Sequence, residues 1–171
     1  MAADDGDVLV VFGAQPAAPA WSAVGDPVMG GRSTGALTPL DATTSVFHGE
    51  VSLANGGGFA SVQVALPPGR VSGDRHALWL RARGDGGAYK LGVRMQRGPG
   101  EPVYQHALAL PAGEWIEQTL PLAAFVATWR GREVSNAPAL DPRRLCMVSL
   151  YTAGRQPGPF RLALDTALLA V

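Results

Sequence analysis

The 171-residue chain has one cysteine, Cys146, and one lysine, Lys90. A single thiol excludes an internal disulfide and any cysteine-cluster metal site. The three histidines, His48, His76 and His106, lie far apart and have no metal-ligand spacing. Net charge is also missing: 14 basic side chains balance 14 acidic ones. That removes the long-range attraction a nucleic-acid or acidic-membrane binder would use. The apolar run VLVVF is far too short to cross a membrane. The acidic opening MAADDGD lacks the basic start of a signal or transit peptide, so a cytoplasmic protein is expected. No segment carries a helical hydrophobic period of normal length, and no internal repeat is present. Nucleophile elbows, cysteine–histidine arrangements and zinc spacings are absent too. Glu114 and Glu117 lie three apart on an expected strand, so they face opposite ways and make no carboxylate pair.

What the chain does have is 47% hydrophobic and 16% charged residues, with 22 glycines and 14 prolines. This suits one globular domain over 1–171, with a short flexible acidic tail at about 1–7. Short apolar runs recur between turn signals. They predict strands at Leu9 to Phe12, Gly35 to Pro39, Ser45 to Leu53, Phe59 to Leu66, His76 to Arg83, Tyr89 to Gln96, Val103 to Leu110, Glu114 to Leu120, Leu145 to Tyr151 and Pro159 to Val171. Pro121 to Thr128 reads as a short helical turn, and Trp129 to Pro142 as a long loop. Roughly ten short strands with this punctuation indicate an all-β sandwich.

Alternation is clearest around Gly84 to Gly87. Leu78, Leu80 and Ala82 share one face, with Trp79, Arg81 and Arg83 on the other. Tyr89, Leu91, Val93 and Met95 then oppose Lys90, Gly92, Arg94 and Gln96. The GDGG between them is a strong hairpin signal. As a hairpin, it would bring Arg81, Arg83, Lys90 and Arg94 onto one sheet face. With Tyr104 and Trp115 nearby, such a face suits an anionic or sugar-like ligand: Arg supplies planar donors and the aromatics stack. A basic face meeting solvent is the plainer alternative. Thirteen of the 14 basic residues are Arg, which favours bidentate contacts but also follows from GC-rich coding.

The stretch Trp21 to Ser33, WSAVGDPVMGGRS, reads as a shaped loop. Pro27 restricts Asp26, and Gly30 and Gly31 allow close backbone approach. Either it carries function through Trp21, Asp26 and Met29, or Trp21 simply plugs the end of the core. Asp26 and Asp85 both sit in glycine-flanked turns. Two separated aspartates fall short of the six to eight oxygens of a calcium site, so each is read as capping its own turn. The RGR of Arg130 to Arg132, beside Trp129, offers residue types enriched at interface hot spots. The alternative is that Trp129 and Phe125 close the sandwich while the arginines cap strand carbonyls.

An ordered set of these motifs resembles the complex I intermediate-associated protein family. It comprises Trp21 with Asp26 to Ser33, GGFAS at Gly57, RARGDGGAYKLGVR from Arg81, Tyr104, GEW at Gly113, LPLAAF at Leu120, RGR at Arg130 and GPF at Gly158. The resemblance runs from about Phe12 to Leu169. It implies a jelly-roll β-sandwich of the galactose-binding type, similar to carbohydrate-binding modules. It also implies a chaperone-like assembly role, read as non-catalytic; from the residues themselves, no cofactor or metal is expected. The expected partner is a protein, such as a subunit of a respiratory or other membrane complex, or a small anionic or sugar-like ligand. The candidate ligand- or partner-binding positions are Trp21, Asp26, Met29, Arg83, Asp85, Tyr104, Trp129, Arg130 and Arg132. Arg83 and Tyr104 would face a ligand groove, and the last three would contact a partner. An isomerase- or cyclase-type enzyme on the same scaffold and a carbohydrate-binding module are the other readings.

Overall fold

A computed structural model describes residues 6–25 and 32–171. The described chain forms 13 strands: β1 (Asp7–Val11), β2 (Ser22–Gly25), β3 (Thr34–Pro39), β4 (Thr44–Val51), β5 (Ala60–Ala65), β6 (Ala77–Arg83), β7 (Tyr89–Arg94), β8 (Val103–Leu108), β9 (Trp115–Pro121), β10 (Val126–Trp129), β11 (Arg132–Glu133), β12 (Met147–Thr152) and β13 (Gly158–Ala170). Three short 3-10 turns, at Ala54–Gly56, Leu122–Ala124 and Pro142–Arg144, interrupt them. One sheet, A, runs β3-β4-β13-β6-β9, with β1 joining β13; the other, B, runs β11-β10-β8-β7-β12-β5-β2. The all-β sandwich expectation holds.

The two sheets close over one hydrophobic layer. Sheet A contributes Phe47, Leu78, Leu80, Phe160, Leu162 and Leu164, and sheet B contributes Val62, Tyr89, Leu91, Val93, Val148 and Leu150. The alternation on β6 and β7 appears directly as burial: Leu78, Leu80 and Ala82 are buried, as are Tyr89, Leu91 and Val93. At one end Phe47 meets Phe160 edge-on at a centroid distance of 4.8 Å and Tyr89 at 6.3 Å. β13 is the longest strand. It pairs with β4 from Gly158 to Asp165 and with β6 from Ala163 to Asp165, bulges after Asp165, and then lies between β1 and β6. Thr166 takes φ +61 at that bulge, the kind of kink a β-bulge introduces.

Of Pro121 to Thr128, expected as a helical turn, only Leu122–Ala124 turns and Val126 already opens β10; three further local expectations need correction. GDGG does not close a hairpin: β6 pairs with β9 and β13, whereas β7 pairs with β8 and β12. The turn is an arch from sheet A to sheet B. Arg81 and Arg83 therefore face outward from sheet A, while Lys90 and Arg94 face outward from sheet B. The segment between β8 and β9 is a second such arch, and Gly84 bridges Ala112 between the two. Secondly, the signature stretch is not wholly a loop, because its start is β2 on the edge of sheet B. Thirdly, the long loop after Trp129 opens with a tight hairpin between β10 and β11.

Of the acidic tail expected at 1–7, residues 1–5 lie outside the described residues, and Asp7 is already paired with Ala170 in β1. Its carboxylate accepts hydrogen bonds from Arg75 Nε at 3.1 Å and from the Ser72 N–H at 2.8 Å. These bonds, Arg75 first, hold the Asp7 carboxyl at about 2. A depressed folded-state pKa adds stability that is fully present above the unfolded value near 3.8 and fades as pH falls towards 2. Asp7→Asn is thus expected to melt below wild type at pH 7, with the two melting temperatures converging as pH drops from 4 to 2; calorimetry across that window checks it. For the core, Phe47→Ala removes the fully buried ring at the centre of the aromatic cluster. It should cost about 3–5 kcal/mol in denaturant unfolding.

Candidate functional site

Trp21 is half-buried against the core, its ring stacked on Phe12 at a centroid distance of 6.4 Å. That is the contact a plug would make. Asp26 and Met29, the other two residues of the signature, lie outside the described residues. Tyr104 belongs to the inward face of β8, is 4% exposed, and donates its hydroxyl hydrogen bond to the Pro138 carbonyl at 2.6 Å. Burial raises its pKa. Arg83 stands on the outside of sheet A, so the structure does not bring Arg83 and Tyr104 into one groove. The arch is the physical reason: it separates two strands that the sequence makes look adjacent.

Asp85 holds the arch in shape. One carboxylate oxygen accepts from the Gly87 N–H and the Tyr89 hydroxyl, both at 2.9 Å, and the other from the Arg161 N–H at 2.8 Å. The bond to Gly87 is the expected Asx-type cap. The other two tie the arch to the end of β7 and to β13. Burial, followed by the Asp85 bond, raises the Tyr89 phenol well above its ordinary value.

The outside of sheet A is organised in cross-strand rows. Thr44, Asp165, Arg81 and Glu117 form one; Val46, Ala163, Arg83 and Trp115 form the next. Arg81 donates to Asp165 at 2.5 Å and lies over the Trp115 ring at 4.7 Å. At the arch end of this face is a cleft of ≈ 410 Å³ lined by Leu40, Asp41, Arg83, Asp85, Trp115 and Arg161, among others. A neighbouring cleft of ≈ 290 Å³ lies over Tyr89, Phe160 and Gln156 and shares Asp85. Sequence reasoning missed Arg161 and Asp41. The alternation in PFRLALD would have set Arg161 and Asp165 on the face opposite Phe160, Leu162 and Leu164.

The outside of sheet B has another character. Tyr151 stands over Gly92: a Cβ on Gly92 would lie 2.7 Å from the tyrosine Cε2. Lys90 is the register partner of Tyr151, and Gln105 and Ser149 flank Gly92 on its two sides. Arg94 lies one row further along, and its Nε is buried without a hydrogen-bond partner among the described residues.

Trp129, Arg130 and Arg132 come together at the β10–β11 tip. Trp129 pairs with Arg132 across a two-residue turn. Arg130 and Gly131 occupy it with φ +50 and +77. Two positive φ angles mark the turn whose twist matches a hairpin. Gly131 adopts one freely, whereas Arg130 does so at a cost of roughly 1–2 kcal/mol. Trp129 is 43% exposed, and the Arg130 guanidinium lies over its ring at 4.7 Å. Trp129 therefore does not plug the core.

No helix of the described residues is long and apolar enough to cross a membrane. Among them, no group of three or more His, Cys, Asp or Glu side chains is placed to hold a metal ion.

Solved structures share the fold. The family 11 carbohydrate-binding module of the cellulosomal cellulase Lic26A-Cel5E of Clostridium thermocellum superposes with a TM-score of 0.69 at 13% identity, covering 96% of this chain and 94% of the module. The Clostridium thermocellum family 11 module in complex with a β-1,3-1,4-mixed-linked tetrasaccharide matches equally well, with the same score, identity and coverage. A family 30 carbohydrate-binding module gives 0.59 at 13% identity, over 94% of this chain and 97% of that one. At these identities the likeness is one of fold. No curated protein matches the chain in sequence. The family model described as complex I intermediate-associated protein 30 matches residues 10–164. With most of its length so matched, the chain belongs to the complex I intermediate-associated protein 30 family.

Proposed function

We propose that this domain is a chaperone-like binding module of the assembly-factor type, and that it grips a protein partner through the β10–β11 tip. The observation that carries the reading is the exposed Trp129 with Arg130 stacked on it. Arg130 sits at φ +50, where glycine would be more comfortable. Backbone strain maintained at an exposed aromatic–arginine pair motivates a functional reading. Tryptophan and arginine are also the residue types that most often carry interface energy. β11 spans only two residues at the edge of sheet B. The tip is thus on a sheet edge with Trp129 and Arg132 both exposed, and Arg132 beside Trp129 extends the basic contact. Family membership supports an assembly role; the choice of a respiratory or other complex rests on the partner recovered.

A second reading has its own observation. The Tyr151 ring over Gly92, bordered by Lys90, Gln105 and Arg94, combines a stacking surface with hydrogen-bond donors. Carbohydrate-binding modules of the same fold add weight to it. In this reading the outside of sheet B holds a neutral oligosaccharide.

Affinity capture from native lysate compares wild type with the Trp129→Ala/Arg130→Ala double variant. A specific protein captured by wild type, and lost in a double variant that still melts within a few degrees of it, is the expected result; equal capture by both overturns the tip assignment. For the second reading, titration with the mixed-linked tetrasaccharide should give binding that Tyr151→Ala weakens about tenfold or more, on the scale of a lost stacking contact. No binding by wild type removes it.

A further inference from the structure

We infer that the cleft at the arch end of sheet A is a second binding site, independent of the hairpin tip, which takes an acidic sugar: a pyranose bearing a carboxylate. Ala163 on β13 pairs with Arg83 on β6, and Arg161 lies two residues before Ala163 on the same outward face. Arg83 and Arg161 are therefore diagonal cross-strand neighbours, with Cα atoms about 7–8 Å apart. The small Ala163 side chain lies beside both. Trp115 is the direct partner of Arg83 on the other side, on β9. All four residues line the cleft.

The hydrogen-bonding balance within the cleft then selects the ligand. Three of the four carboxylate oxygens of Asp41 and Asp85 are already served. Asp85 accepts from Gly87, Tyr89 and the Arg161 backbone, and Asp41 Oδ1 accepts from the Thr43 and Thr44 N–H groups at 2.9 and 2.8 Å. The latter bonds hold the Asp41 carboxyl below its ordinary value, so it is ionised and turned to its own loop. Arg81 is met by Asp165. The side chains of Arg83 and Arg161 are different. Both residues are exposed, and among the described residues neither guanidinium has an ion pair or hydrogen bond. Each guanidinium offers five donors in a fixed fork and no acceptor. Among the described residues the cleft thus has two unfilled guanidinium forks against one free acceptor, the second oxygen of Asp41, so the ligand must bring mainly oxygens, most effectively as a carboxylate held by two forks. Trp115 and the exposed Leu40 give the same cleft an apolar wall, which suits the face of a sugar ring. The second oxygen of Asp41 is left to accept a ring hydroxyl.

The test is calorimetric titration of the full chain with trigalacturonate, its neutral counterpart galactotriose, and sodium acetate. The expected result is that trigalacturonate binds at least about tenfold more tightly than either control, and that binding weakens as salt rises. Arg161→Ala and Arg83→Ala should each weaken it about tenfold. Arg161→Lys should recover only part of the loss, because lysine keeps the charge and loses the fork. The Arg161 backbone bond to Asp85 survives these changes, and unaltered melting of the Arg161 variants verifies that the arch is intact. Equal binding of the neutral sugar, binding that survives both alanine variants, or no binding of trigalacturonate overturns the inference. Because Trp129 and Tyr151 take no part, the Trp129→Ala/Arg130→Ala and Tyr151→Ala proteins should bind trigalacturonate like wild type. Loss of binding in either would relocate the site and also overturn it.

Discussion

The contact on which the arch end depends is between two sheets and three rings. Tyr89 reaches from sheet B to pack against Phe47 and Phe160 of sheet A, and its hydroxyl is tied to Asp85 in the loop that joins the sheets. Burying the rings supplies the driving force, while the carboxylate supplies direction. One buried phenol needs a partner, and Asp85 provides it while also receiving the Arg161 N–H. The arch geometry, the end of β13 and the walls of both clefts all follow from this one group of bonds.

This organisation places exposed chemistry on three separate surfaces. The outside of sheet A carries an Arg–Asp–Trp ladder that ends in two guanidiniums with no ion pair among the described residues. Sheet B carries a tyrosine over a glycine floor. The β10–β11 tip carries a strained arginine against an exposed tryptophan. The inner faces are given over to packing, so a candidate such as Tyr104, which turns inward, serves the core and closes a loop through Pro138. In a two-sheet sandwich, the parity of a residue on its strand decides between these fates. Parity says nothing about which sheet the strand joins.

Much of the fold was legible beforehand. Alternation in ALWLRAR and YKLGVR gave the buried and outward residues correctly, and glycine and proline marked most strand ends. The family motifs, spread over nearly the whole chain, gave the jelly-roll class. Short strands escaped: β2 hides in a stretch whose glycines and proline suggest a loop, and β11 has only two residues, too few for any period. Of the sheet A cleft, Arg83 and Trp115 were visible as outward residues. Arg161 was not, because nothing local links it to a strand almost eighty residues earlier (Arg83 to Arg161).

The sequence by itself determined the faces of the strands, since side-chain direction along extended backbone is a local property with a period of two. Residue type also marked Trp129, Arg130 and Arg132 as candidate contacts, although on what read as a long loop and not a tight turn. Only the tertiary structure decided which strands are neighbours. A glycine-rich turn such as GDGG has the same local conformational freedom whether it returns to its own sheet or crosses to the opposite one. The choice is made by the burial of Leu80, Leu91, Leu150 and Leu162 against one another. That collective term moved Arg83 away from Lys90 and Arg94, and set it beside Arg161.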